Sequence, residues 1–138
     1  MSHPQQSLFE RIGGREGLTL LLRHFYADVR QHKLIGPIFN GQIQDWPEHL
    51  AKIAEFWARI MGGPSLYVGQ MPAKHLHLGI APQHFAAWLQ LWTSNCRCYL
   101  KPQEAEEAIR LARDIASRLE KIISNEGDAG NFPSANRP

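Results

Sequence analysis

The sequence predicts an all-α, single-domain fold, and three observations carry that prediction. Apolar residues recur at three- and four-residue spacing along four long segments. No stretch alternates with the two-residue period of a half-buried strand. Pro or Gly stands where those segments begin and end. With 138 residues, 43% apolar and 20% charged, the chain is long enough for one core and ordinary in its surface charge.

In the first segment, Gly14 to Leu34, the residues Leu18, Leu21, Leu22, Phe25 and Val29 share one helical face. Gly13-Gly14 before it reads as a turn or helix-start device, since no strand precedes it as a dinucleotide-binding loop requires. Gly36-Pro37 breaks the segment, and Ile38-Phe39-Asn40-Gly41 reads as a turn or 3₁₀ corner. Asp45 with Glu48 three residues on is a capping-box arrangement, and Pro47 suits a first turn. The inner face of that second helix carries His49, Ile53, Phe56, Trp57 and Ile60, and Gly62-Gly63-Pro64 ends it.

From Ser65 to Ala81 helix signals are weak, with a turn or two expected near Ala73 to Leu76. Pro82 opens a third helix, with Phe85, Trp88, Leu89, Trp92, Cys96 and Tyr99 on one stripe. Pro102 opens the fourth. Glu104, Glu106 and Glu107 come early in it and Arg113, Arg118 and Lys121 late, the order that suits a helix dipole. Its core face runs from Ala105 through Ile109, Ala112 and Ile115 to Leu119 and Ile123. Residues 1–6 are expected to be flexible, 7–125 to form the domain, and 126–138 to be a disordered tail rich in Gly, Asn, Pro and Ser.

Composition excludes several functions. A formal charge of +2 without a run of Lys or Arg is no nucleic-acid footprint. No apolar run approaches the ~18 residues of a membrane span. The N-terminus lacks the apolar stretch of a signal peptide, so a cytoplasmic location is expected. Cys96 and Cys98 would point to nearly opposite sides of a helix, and read as reduced thiols.

Four helices make a four-helix bundle the default expectation, but the stretch 65–81 is longer than the ~12–15 residues above which structureless connections become uncommon. His49 shares an apolar face, where a histidine is more often a hydrogen-bonded core residue than a ligand. Tyr26 and Trp88 each bring a polar tip among large aromatics. An unpaired buried polar group costs about 1–3 kcal/mol, so three together fit a cavity with a polar occupant better than a dry core. His75 and His77, with His84 nearby, could also hold a metal ion, although no carboxylate or cysteine completes a ligand pattern. No nucleophile motif, phosphate-binding glycine loop or catalytic carboxylate pair is present.

Several of these motifs occur in a telling order. They are Phe25-Tyr26, Gly36-Pro37-Ile38-Phe39-Asn40, Trp46-Pro47-Glu48-His49, Lys52-Ile53, Phe56-Trp57, Tyr67, Gly69, Lys74-His75-Leu76, Phe85 and Trp88-Leu89. Over about Leu8 to Ser124 the chain resembles the truncated haemoglobins, most closely group III. Leu8 to Gly14 and the Gly62-Gly63 pair look more like groups I and II.

The resemblance implies a truncated globin fold, a two-over-two helical sandwich around haem, with the stretch 65–81 holding a proximal helix reduced to little more than a turn. It implies one haem b per chain, with His75 as the protein ligand of the iron. Tyr26, His49 and Trp88 would be the polar groups around a bound gas, with His49 as a gate. Phe25, Phe39, Ile53, Phe56 and Trp57 would wall the pocket, and Lys52 and Tyr67 would meet the haem propionates. O₂, NO and CO are the implied ligands and a reductase the implied partner. O₂/NO or peroxide-linked redox chemistry, of NO dioxygenase or peroxidase type, fits better than O₂ delivery. A haem-based gas sensor and a haem-free helical interaction module are the alternatives.

Overall fold

A computed structural model describes residues 6–69 and 79–131, the stretch 125–131 as backbone. Among the described residues there are six helices and no strand: α1 (Leu8–Arg11), α2 (Gly14–Gln31), α3 (Gly36–Gln42), α4 (Trp46–Ile60), α5 (Pro82–Tyr99) and α6 (Pro102–Asn131). Helix α5 runs along α6, while α2 lies against both α4 and α5. The α2/α4 and α5/α6 pairs thus face each other, with the core between them. No helix among the described residues is long and apolar enough to cross a membrane.

Helix α1 is absent from the sequence expectation, yet Ser7-Leu8-Phe9-Glu10 carries the signal for it. Ser7 Oγ accepts from the Glu10 N–H at 3.1 Å, and Glu10 Oε1 accepts from the Ser7 N–H at 3.0 Å. This reciprocal capping box satisfies two otherwise orphaned donors. Two longer-range ties then fix α1. The Phe9 N–H donates to the Met61 carbonyl at 3.1 Å. The Arg11 guanidinium spans Glu107, at 2.7 Å, and Glu104, at 2.9 Å, on α6. The same guanidinium pulls the Glu107 carboxyl below the usual carboxylate range.

Residues 36–42 form an α-helix where a turn or 3₁₀ corner at 38–41 is expected from the sequence. Pro37 sits in its first turn, where a missing N–H costs no intrahelical bond. Asn40 Nδ2 donates to the Arg30 carbonyl at 3.0 Å, folding α3 back onto the end of α2.

Helix α4 begins as its sequence suggests, with Asp45 Oδ1 accepting from the Glu48 N–H at 3.0 Å. It ends in a Schellman pair. Gly63 N–H donates to the Ala58 carbonyl at 2.7 Å and Gly62 N–H to the Arg59 carbonyl at 3.1 Å. Gly62 supplies the required left-handed backbone, φ 89°. Gly63 serves packing, because a Cβ there would fall inside the Phe9 ring. Gly63→Ala should therefore destabilise the fold by about 1–3 kcal/mol, seen as a lower urea midpoint at unchanged m-value.

Beyond α4, Glu55 holds the departing chain. Its carbonyl accepts from Ser65 Oγ at 2.5 Å and its carboxylate from the Leu66 N–H at 2.7 Å, while Arg15 lies 3.2 Å away.

On α5 the expected stripe is buried at Phe85, Trp92 and Cys96, while Trp88 and Leu89 are half-buried. The stripe leaves the core at its end, where Tyr99 is 48% exposed and stacks on His24 with centroids 4.1 Å apart. Asn95, with no place in the sequence expectation, is buried on α5. Its Nδ2 bridges the Asp28 carboxylate, 3.0 Å, and the Leu91 carbonyl, 2.9 Å. Cys96 is buried and Cys98 exposed, both as free thiols.

Helix α6 extends to Asn131, past position 126 where a tail is expected to begin. Propagating an established helix fixes one residue per added hydrogen bond, so low-propensity residues can follow a long nucleus. The remainder of that tail, like the turn expected at Ala73 to Leu76, lies outside the described residues.

Candidate functional site

A cavity of about 380 Å³ opens between α2, α3, α4, α5 and α6. Its apolar wall comes from Ile35, Ile38, Phe39 and Ile43 beside α3, from Ile53, Phe56 and Trp57 on α4, and from Phe85, Ile115 and Leu119 opposite. Tyr26, Gln42, His49, Lys52, His84 and Trp88 interrupt that wall with polar atoms. A mostly apolar hollow of this size with a few placed polar groups is the usual form of a cofactor site.

Helical spacing assembles the polar edge. His49, Ile53, Phe56 and Trp57 fall at i, i+4, i+7 and i+8 of α4, and all four line the cavity. Tyr26 comes from the buried face of α2 and meets His49 edge-on, with ring centroids 5.9 Å apart at 90°. Phe39 packs edge-on against Tyr26 at 5.9 Å, and the His49 Nε2 atom is buried.

Burial holds the Tyr26 phenol well above its ordinary ionisation range, and a hydrogen bond with the Trp88 side chain works in the opposite direction. An indole N–H can only donate, so Trp88 gives its proton to the phenolic oxygen. The Tyr26 hydroxyl proton is then available as a donor.

His84 is fixed differently. Its Nδ1 accepts from the Ala81 N–H at 2.8 Å at the start of α5. A ring nitrogen that accepts carries no proton, so neutral His84 keeps its proton on Nε2.

Of the other expected pocket residues, Phe25 is fully buried one layer behind the cavity. It packs edge-on against Trp88 at 5.8 Å and Trp92 at 5.0 Å. Tyr67 is half-buried and meets the outer side of the wall through Phe56, ring centroids 5.2 Å apart. Lys52 is exposed at the cavity's edge. His75 and His77 lie outside the described residues, on the stretch between Gly69 and Gly79. Among the described residues no three His, Cys, Asp or Glu side chains gather as metal ligands.

The lining suits the haem that the resemblance implies. A flat apolar macrocycle needs walls of Ile, Phe and Trp, its acidic groups need a cation such as Lys52 where the cavity meets water, and a bound gas needs a donor such as the Tyr26 hydroxyl. The described residues supply all three.

The buried acids also set an alkaline limit. Burial raises the Tyr26 phenol above its ordinary value of 10.0 and pushes the Cys96 thiol from 9.0 up to about 12. At low pH both groups are protonated in folded and unfolded chains alike, so their contribution to stability is fully present. Above the unfolded value the unfolded chain ionises first, and each group removes about 1.4 kcal/mol per pH unit until its folded value is reached. Urea unfolding should therefore show stability falling from about pH 9, with Cys96→Ala removing the first part of the decline.

Known proteins agree with this architecture. Residues 7–121 match the family model for bacterial-like globins. A group 3 truncated hemoglobin of Campylobacter jejuni is 36% identical over 124 residues, 86% of this chain and 97% of that protein. Group 1 and group 2 truncated hemoglobins, of Mycolicibacterium paratuberculosis and Bacillus subtilis, are each 35% identical. They match over 57% and 59% of this chain, and over 57% and 62% of their own lengths.

Among solved structures, the Campylobacter jejuni group III truncated hemoglobin superposes with a TM-score of 0.74 at 36% identity, covering 80% of this chain and 91% of that one. The group II truncated hemoglobin of Bacillus anthracis gives 0.72 at 29% identity, covering 83% and 90%. Of the three sequence relatives, the group 3 protein is matched over the greatest length. The chain belongs to the bacterial-like globin family as a truncated haemoglobin, and its resemblance runs chiefly to group III.

Proposed function

We propose that this chain holds one haem b in the α2–α6 cavity, with His75 as the iron's protein ligand, and uses it for O₂/NO or peroxide-linked redox chemistry rather than O₂ delivery. Haem binding and the binding of diatomic gases are properties of the family. When bound, haem would supply an iron able to take up O₂, NO or CO. The observation that carries the reading is the Tyr26 hydroxyl: buried, kept protonated, and freed by Trp88 to donate at the wall of an otherwise apolar cavity.

The residues of the chain then divide the work. Tyr26 donates to a gas that develops negative charge, and Trp88 holds the phenol in place. Ile53, Phe56 and Phe85 keep bulk water out, so the donated hydrogen bond acts in a low dielectric. His49 guards the edge beside Tyr26, and Lys52 meets a propionate. A donor that strengthens gas retention slows release, which suits reaction better than transport. Electrons would come from a reductase in the cytoplasm.

Haemin titration of the purified protein should give a saturating Soret band at one equivalent. In the loaded protein, Tyr26→Phe should raise the O₂ dissociation rate about ten- to a hundredfold, the worth of a hydrogen bond to a charged acceptor. An unchanged rate would remove Tyr26 from the gas site, and a chain that takes up no haemin would leave the haem-free readings, a helical interaction module or a metal site at the histidines.

A further inference from the structure

Trp46 has no role in the cavity lining, yet it touches both groups that face the gas. It opens α4, directly after the Asp45 cap and one turn before His49. Its ring meets His49 edge-on, centroids 5.5 Å apart at 86°, and lies 5.8 Å from the ring of Tyr26. On α2, the Arg30 guanidinium sits 4.6 Å from the centroid of the Trp46 ring. The backbone beneath Arg30 is held in turn, since its carbonyl accepts from Asn40 of α3. Arg30 is exposed, Trp46 half-buried and Tyr26 buried. The three therefore step from the surface to the cavity wall, with His49 beside them.

We propose that Trp46, clamped by Arg30, is a positioning residue that holds the His49 and Tyr26 rings together and so closes the route from solvent to the gas site. Edge-to-face contacts favour one ring orientation over others, because the positive edge of one ring meets the negative face of the next. His49 lies against two rings, Trp46 and Tyr26, which also meet each other 5.8 Å apart, and it stands at nearly perpendicular angles to both. Swinging His49 outward breaks both contacts. With Trp46 removed, His49 keeps its Tyr26 contact but loses the Trp46 ring that opposes that swing. The guanidinium adds a cation–π attraction from the solvent side, which keeps the indole from turning outward.

This inference deepens the gas-binding function proposed above and names the residue that regulates entry to that site. Two measurements test it together. In the haem-loaded protein, flash photolysis reads the CO association rate. In the haem-free protein, NMR cross-peaks between the His49 and Tyr26 rings read their placement whether or not haem is taken up.

Trp46→Ala should raise CO association about tenfold, what loss of the ring contacts takes from the barrier, and should erase the cross-peaks. Trp46→Phe keeps an aromatic face and should restore both. Arg30→Gln, at an exposed position and harmless to folding, should raise association about two- to fivefold. CO association unchanged in Trp46→Ala, or in Arg30→Gln where the alanine variant does not fold, overturns the proposal. Cross-peaks that survive in Trp46→Ala overturn it too. A chain without a Soret band defeats the functional reading instead, and the cross-peaks still decide the role of Trp46.

Discussion

Replacing Trp92 with alanine should cost about 3–5 kcal/mol of folding stability, a large part of the 5–15 kcal/mol that holds a typical domain folded. Trp92 is fully buried at the centre of the sandwich. Its indole stacks on Trp57 of α4, centroids 4.3 Å apart and 12° from parallel, and lies nearly parallel to Trp88 at 6.2 Å. Phe25 of α2 meets it edge-on at 5.0 Å. Its Nε1–H donates to the Ala108 carbonyl of α6 at 3.0 Å. One side chain thus joins α2, α4, α5 and α6. Alanine removes the apolar burial, the ring contacts and the hydrogen bond together, in a place where four helices cannot all close on the gap. Trp92→Phe retains most of the volume and should cost less than half as much. Chemical denaturation of the haem-free proteins reads both, and a midpoint unmoved in the alanine variant would mean the stack does not hold the helix pairs together.

The second large effect concerns haem retention. His75→Ala should raise the rate of haem loss to an apoglobin acceptor by more than the roughly 10–100-fold that losing an outer-shell partner of a metal ligand costs. His77→Ala should leave it at the parent value. The described histidines at the cavity are poor substitutes. His84 has committed Nδ1 to the Ala81 N–H and keeps a proton on Nε2. His49 stands with Tyr26 and Trp46, on the side proposed for the gas. The stretch between Gly69 and Gly79 carries the other two candidates, and the family resemblance selects His75. Equal haem loss from the two variants would overturn that choice, and a spectrum of the ferrous form would show which axial ligation remains.

Most helices were legible where a local signal coincided with a tertiary role, although α1 escaped despite its capping box and its ties to α6. Asp45 and Glu48 announced α4, and the Gly62-Gly63 pair announced its end, because capping bonds form among neighbours in sequence. Helix α3 was harder. Gly36-Pro37 can end one helix or begin another, and the choice here comes with the long-range bond from Asn40 back to Arg30. The Tyr99 position followed the α5 stripe correctly in phase but not in depth, since the helix outruns the core it packs on. Periodicity could place His49, Trp57 and Trp88 on inward faces. It could not separate Phe25, one layer behind, from the residues that touch the cavity. Trp46 escaped for a related reason: its partners are Arg30 and Tyr26 of another helix, and no spacing within α4 encodes them.

The near-parallel indoles of Trp57, Trp92 and Trp88 carry one more consequence, and it is optical. Rings stacked this closely share their electronic excitation, so the haem-free protein should show a split near-ultraviolet circular dichroism band that Trp92→Phe collapses. Trp57 and Trp88 also line the cavity, and Trp46 stands one ring away. All four tryptophans of the chain therefore sit within energy-transfer range of anything coloured that enters. Their emission should fade as the cavity fills, which makes the native chain a label-free reporter of its own occupancy.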